Sequence, residues 1–304
     1  MIGAERTVPR VPDALVDSIV YLYPSVDEAK REATSLDPGQ GGTGFIVEVP
    51  VENGPLPELR VSYIVTNSHV VGAEGQSPVV RINTKTGGFD VLPLTADDWI
   101  HHPDGDDVAV APIGLSGSIH KFRALEWSTW ALSQQELDEM KVGPGDQVYF
   151  LGRFRHWEGL ARNLPTVRQG SIARMPLDEA VVNKRGIKQE SFIVEAHSLS
   201  GYSGSPVFLY IPPYDWRGEF TRPLEPVWHQ GLLGIDWGHQ PDLAPVLGPD
   251  QKTPWDEAQL WVPTSSGLMF VVPAWRINSF LLDDPGLQEQ RQFALKQWLA
   301  TNAR

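Results

Sequence analysis

The chain has 304 residues, enough for one large or two small packed units, and its 41% hydrophobic content supports a real core. A net charge of −13 argues against nucleic acid as a partner, because phosphate binding needs clustered Lys and Arg, and no apolar run reaches the ~18 residues of a membrane span. Zero cysteines exclude disulfides and a thiol nucleophile and fit a reducing compartment.

Residues 1–12 read as a loose arm without the apolar region of a signal peptide, so a cytoplasmic location is expected. Ala14–Tyr23 reads as a strand with helical character at its start. Ser25 and Glu28 form a capping-box pattern that opens a short helix through Ala33, and Asp37–Gly42 is a loop. Strands are expected at 43–50 and 60–68, joined by a hairpin containing Asn53-Gly54-Pro55, then at 79–83, 89–94 and 107–112. A connection over 123–141 carries a second capping box, Ser133 with Glu136, and a brief helix to Lys141. A second β-unit opens at Val142–Gly152 and Pro165–Ile172. Residues 176–190 are polar and read as a mobile loop, and Phe192–Glu195 is a strand. Further strands follow at 207–211, 231–238 and 267–273. Two long excursions rich in Pro, Trp and charge interrupt them, at 212–227 and 239–258. Ala274–Leu282 reads as a helix, and Asp284-Pro285 starts another whose stripe of Leu287, Ala294, Leu295, Trp298 and Leu299 should pack on the body. The expected division is 1–130, 131–273 and 274–304.

The chemistry concentrates in Ser200-Gly201-Tyr202-Ser203-Gly204-Ser205-Pro206, a small-residue turn with glycine on either side of Ser203 before an apolar strand. Glycine lets the backbone turn sharply and lets a substrate carbonyl approach closely. Upstream, the apolar run Tyr63–Val65 delivers His69, and Asp107 opens the strand Val108–Ala111. Asp104 and Asp106 compete with Asp107 and read as turn residues, because Asp107 abuts the strand. None of the remaining histidines has metal-ligand spacing, so no metal or cofactor is expected.

With its order of His69, Asp107 and Ser203, the chain resembles the chymotrypsin-like (trypsin-fold) serine proteases, and within them the cysteine-free bacterial peptidases. The resemblance rests on Thr43-Gly44-Phe45-Ile46-Val47, Thr66-Asn67-Ser68-His69-Val70, Asp107-Val108-Ala109-Val110 and Gly201-Tyr202-Ser203-Gly204-Ser205-Pro206, with Ser205 where a second glycine is usual. It covers roughly residues 14 to 282 and implies an all-β fold of two six-stranded antiparallel β-barrels with a C-terminal helix. It also implies a serine endopeptidase with His69 as base, Asp107 orienting it, Ser203 as nucleophile, and the N–H groups of Gly201 and Ser203 as oxyanion hole. Protein or peptide substrates follow, with room for a regulatory protein partner. Trp237 and Gly238 would line the extended substrate, and His197, six residues before the nucleophile, would lie at the base of the specificity pocket. Two departures stand out. Asp236 occupies the place where a serine commonly supports the triad aspartate, so it must point away from Asp107 or repel it. Tyr202 stands where zymogen-type relatives pair an aspartate with a new N-terminus, so no activating cleavage is expected. Two other readings compete: a catalytically silent peptide-binding or regulatory module of the same fold, and a serine esterase of the α/β-hydrolase class. The latter runs Ser, Asp, His, the reverse of the order here.

Overall fold

The computed structural model describes residues 11–31, 40–52, 59–72, 76–176, 180–182, 186–211, 229–246 and 260–302. The expected hairpin at Asn53-Gly54-Pro55 and the excursion at 212–227 lie outside these residues, as do 1–10 of the arm.

The first unit begins with a helical turn, α1 (Asp13–Val16), and the strand β1 (Ile19–Tyr23). A short helix, α2 (Val26–Lys30), follows. Ser25 caps it by accepting the Glu28 N–H at 3.1 Å, and it ends before the expected Ala33 because Arg31 is already extended. Then come β2 (Thr43–Pro50), β3 (Arg60–Thr66), the single turn α3 (Ser68–Val71), β4 (Val79–Asn83), β5 (Phe89–Leu92), β6 (Ile100–His101), β7 (Ala109–Ile113) and β8 (Leu125–Glu126). These strands form one eight-stranded sheet in the order β5-β4-β1-β2-β3-β7-β6, with β8 added in parallel to β2. It is a rolled half-barrel, since β5 and β6 end the path among the described residues.

Helices α4 (Trp127–Trp130) and α5 (Gln134–Glu139) make the connection, and the Ser133–Glu136 capping box is complete in both directions. The second unit is a closed six-stranded barrel of β9 (Gln147–Gly152), β10 (Thr166–Arg174), β13 (Phe192–Glu195), β14 (Pro206–Ile211), β15 (His229–Pro245) and β16 (Trp261–Pro273). The polar stretch expected to be a loop instead holds a small ribbon, β11 (Val181–Val182) with β12 (Lys188–Gln189). Part of the 239–258 excursion is sheet as well, because β15 stays paired with β16 out to Pro245 and Trp261. Two helices close the chain, α6 (Ala274–Asp283) and α7 (Pro285–Asn302). Leu287 and Leu295 of the α7 stripe are buried, but Leu299 is 44% exposed. Arg291, also buried, donates to the carbonyls of Leu281 and Leu282 that end α6.

Side-chain alternation explains why several strands read as continuous apolar runs. All five residues of β1 are buried. Val20 and Leu22 join Ile46, Ile64, Val80 and Ala109 inside the first sheet. Ile19, Tyr21 and Tyr23 join Phe45, Val65, Tyr149, Phe208 and Trp237 in a separate core. The interior of the closed barrel is a third cluster, built on Val148, Phe150, Val194, Val207 and Leu209. Because successive side chains point to opposite faces, a strand between two cores has no polar face to show.

Candidate active site

The histidine and aspartate meet at the ends of two neighbouring strands. β3 stops at Thr66 and α3 carries His69 on one helical turn. That turn is stitched to the start of β7: Asn67 Nδ2 donates to the Asp107 carbonyl and Ser68 Oγ to the Val108 carbonyl, each at 2.8 Å. Asp107 then reaches back twice. Its Oδ1 accepts the His69 backbone N–H at 2.8 Å, and its Oδ2 lies 2.5 Å from Nδ1 of the ring. An ionised carboxylate only accepts, so this contact places the proton on Nδ1 and leaves Nε2 as the basic nitrogen. The backbone at Asp107 is itself held, because the Asp107 N–H donates to Gln189 Oε1 at 2.6 Å. Gln189 sits on β12, in the stretch read from sequence as loop; a lone glutamine among polar residues carries no signal that would have found it. Asp104 and Asp106 turn elsewhere, to Arg276 at 3.2 and 2.6 Å.

Ser203 lies on a turn anchored to the start of β2. The Thr43 N–H donates to the Ser203 carbonyl at 2.9 Å, and Thr43 Oγ1 donates to the Gly201 carbonyl at 2.7 Å. Gly204 has φ +90°, and a Cβ there would lie 1.9 Å from the Thr43 carbonyl, so only glycine fits. At Gly42 a Cβ would meet both the Ser203 carbonyl and Val70 Cγ1 at 2.9 Å. The start of β2 is therefore wedged between the serine turn and the histidine turn, which brings the two together. Among the described residues no hydrogen bond joins Ser203 Oγ to His69; such contacts are often long without substrate. The N–H groups of Tyr202, Gly204 and Ser205 are taken by Leu199 O, Asp236 O and Tyr202 O. Those of Gly201 and Ser203, the two expected oxyanion donors, have no acceptor among the described residues.

Beside this turn an edge of β15 is open. β14 pairs with β15 only as far as Pro206 and Ile235, and the Asp236 backbone bonds to Gly204 and Ser205. Among the described residues, β15 is paired on one side alone from Trp237 onward, and nothing lies within 4 Å of where a Gly238 Cβ would stand. Trp237 itself is core. It is 4% exposed, stacks on Phe270 at 5.1 Å and donates its indole N–H to Ser191 Oγ, so only its backbone can face an extended peptide.

Beyond β13 the alternation continues: Glu195 and His197 are exposed, Ala196 and Ser198 buried. His197 lines a cavity of about 630 Å³ with Tyr149, Gln169 and Tyr210, and neither Ser203 nor Gly238 borders it. The inward residue is Ser198, whose hydroxyl donates to Asp236 Oδ2 at 2.6 Å. Asp236 points away from Asp107 and is wholly buried; its Oδ1 accepts the Gly238 N–H at 3.0 Å. Burial pushes its pKa up to about 7, against the opposing pull of those two donors. Among the described residues no group of three or more His, Asp or Glu is placed to hold a metal.

A family profile described as trypsin-like peptidase domain matches residues 42–210. No curated protein sequence matches the chain. Among solved structures it is similar to the MamO protease domain from Magnetospirillum magneticum, at 21% identity over 89% of this chain and 98% of that one, with a TM-score of 0.47. It is also similar to Rv3671c from M. tuberculosis H37Rv in an inactive form, at 17% identity over 89% and 88%, with a TM-score of 0.45. A third similar structure is the HtrA-type protease AlgW with a decapeptide, at 15% identity over 88% and 66%, with a TM-score of 0.41.

Proposed function

Because this chain belongs to the trypsin-like peptidase family, we propose that it is a serine endopeptidase acting through an acyl-enzyme on Ser203. The observation that carries this reading is the pair of hydrogen bonds that the Asp107 carboxylate accepts from the backbone and ring of His69. It holds the imidazole with Nε2 unprotonated, the state in which it can take the Ser203 proton. Ser203 Oγ then attacks the scissile carbonyl carbon, and the developing oxyanion is received by the free N–H groups of Gly201 and Ser203. The imidazolium returns its proton to the leaving amine, and water attacks the ester by the same route in reverse. One oxyanion donor of this kind lowers the barrier by ~3–4 kcal/mol, and the orienting acid raises turnover by about 10⁴. An extended peptide would add along the open edge of β15 at Gly238. A reducing compartment is the proposed setting, since the chain has no cysteine.

The test is labelling with a fluorophosphonate, read by intact mass, together with hydrolysis of a peptide library. The wild type should gain one adduct and cleave peptides. Ser203→Ala and His69→Ala should each do neither while keeping the wild-type melting temperature. A wild type that stays unlabelled would favour the silent peptide-binding module instead, and Ser203→Ala at wild-type turnover would displace the nucleophile.

A further inference from the structure

The serine turn needs something to hold its shape. His197–Ser200 leaves β13 with three exposed residues, His197, Leu199 and Ser200, and the backbone must then reverse through Gly201 at φ +105°. Such a segment buries little of its own, and a loop with few buried contacts opens readily. Tyr202, just before the nucleophile, is wholly buried against Phe150 with ring centroids 5.4 Å apart. A ring alone fixes depth, not direction.

Direction comes from one side chain of β10. Arg168 Nε donates to the Tyr202 hydroxyl at 3.0 Å, and its Nη1 donates to the His197 carbonyl at 3.1 Å. The guanidinium also lies 5.1 Å from the Tyr202 ring centroid and 5.5 Å from that of Phe154. β10 is paired with β9 along its whole inner stretch, Arg168 opposite Phe150, so the base of this side chain is rigid. Only a planar fork with donors aimed in different directions can take both partners at once; an ammonium cannot hold this geometry. Both ends of the segment leading into Ser203 are thus tied to one arginine.

We propose that Arg168 is a positioning residue that braces the Ser203 turn from Tyr202 and His197, so that the turn holds its reactive shape without any new N-terminus. The brace acts on the proposed peptidase reaction and rests on that reading, but its effect on the turn can be measured apart from catalysis. With Tyr202 held, its carbonyl keeps the Ser205 N–H, and in a trans peptide the Ser203 N–H then points the opposite way, toward the substrate side.

Three variants test this: Arg168→Met, Arg168→Lys and Tyr202→Phe. Hydrogen exchange of the segment 198–205, followed by mass spectrometry, should speed at least tenfold in Arg168→Met, with β9 and β14 unchanged. The phosphonylation rate and kcat should fall by between tenfold and a hundredfold, with KM and the pH midpoint of the histidine limb unmoved. Arg168→Lys should not restore them, and Tyr202→Phe should lose several-fold, with no further loss when combined with Arg168→Met. Unchanged exchange in Arg168→Met, full rescue by lysine, or losses that simply multiply in the double variant would each overturn the brace. A wild type that neither labels nor cleaves would sink the peptidase reading, and the exchange result would still decide whether Arg168 holds the turn.

Discussion

Asp236 is a carboxyl group whose ionisation is opposed by its burial. It is buried among Ser198, Gly238 and the backbone of the serine turn, with its pKa pushed up to about 7 from the 3.8 of a free carboxyl. In the fold it keeps a proton that the unfolded chain has already lost. Its contribution is therefore fully favourable below about pH 4 and is lost as pH rises to about 7. The gap corresponds to roughly 4 kcal/mol, an order-of-magnitude figure. Asp236→Asn keeps the shape and removes the charge. We expect it to match the wild type in urea denaturation at pH 4.5 and to exceed it clearly at pH 8; parallel pH curves for the two proteins would show that Asp236 is not the group responsible. Nothing in the sequence marks this. An aspartate beside a tryptophan looks like any strand-end acid until the barrel closes over it.

At the level of elements, the end of β13 and the edge of β15 decide what can sit beside Ser203. Alternation turns His197 outward and Ser198 inward, and the carboxylate nearest the turn, Asp236, has no exposed surface. Neither His197 nor Asp236 therefore presents a fixed negative charge to a substrate side chain. We expect a positional-scanning peptide library to favour an uncharged or acidic residue before the scissile bond. Dominance of Arg and Lys at that position would mean that Asp236 becomes exposed on binding. The motif strands themselves were legible because their apolar runs and terminal polar residues are local signals. The ribbon at β11 and β12 was not, since two-residue strands carry no periodicity, and with it went Gln189.

For the whole molecule, the proposed peptidase reading places the anchors of the serine turn within the two β-units, so no N-terminal switch is expected. Tyr202 is held by Phe150 and Arg168, and Gly201 by Thr43, whose Oγ1 in turn accepts the Arg153 N–H at 2.8 Å. All of these partners lie within the two β-units. Protein beginning at Met1 should hydrolyse peptide as purified, at a rate that does not rise when the N-terminus is trimmed. Activity that appears only after cleavage before Gly41 would count against this, and would place the missing anchor in the arm.

Local patterning by itself determined most of the strands, the N-cap at Ser25, the capping box at Ser133, the glycine-lined turn and the order of His69, Asp107 and Ser203. Each of these depends on residues close together in the chain. Tertiary structure alone decided that Gln189 reaches Asp107, that Trp237 fills the core, and that Arg168 spans the serine turn. Those outcomes hang on which face of a strand meets which core. A strand apolar on both faces does not encode that choice; it is made only when β1, β2 and β14 pack between two interiors.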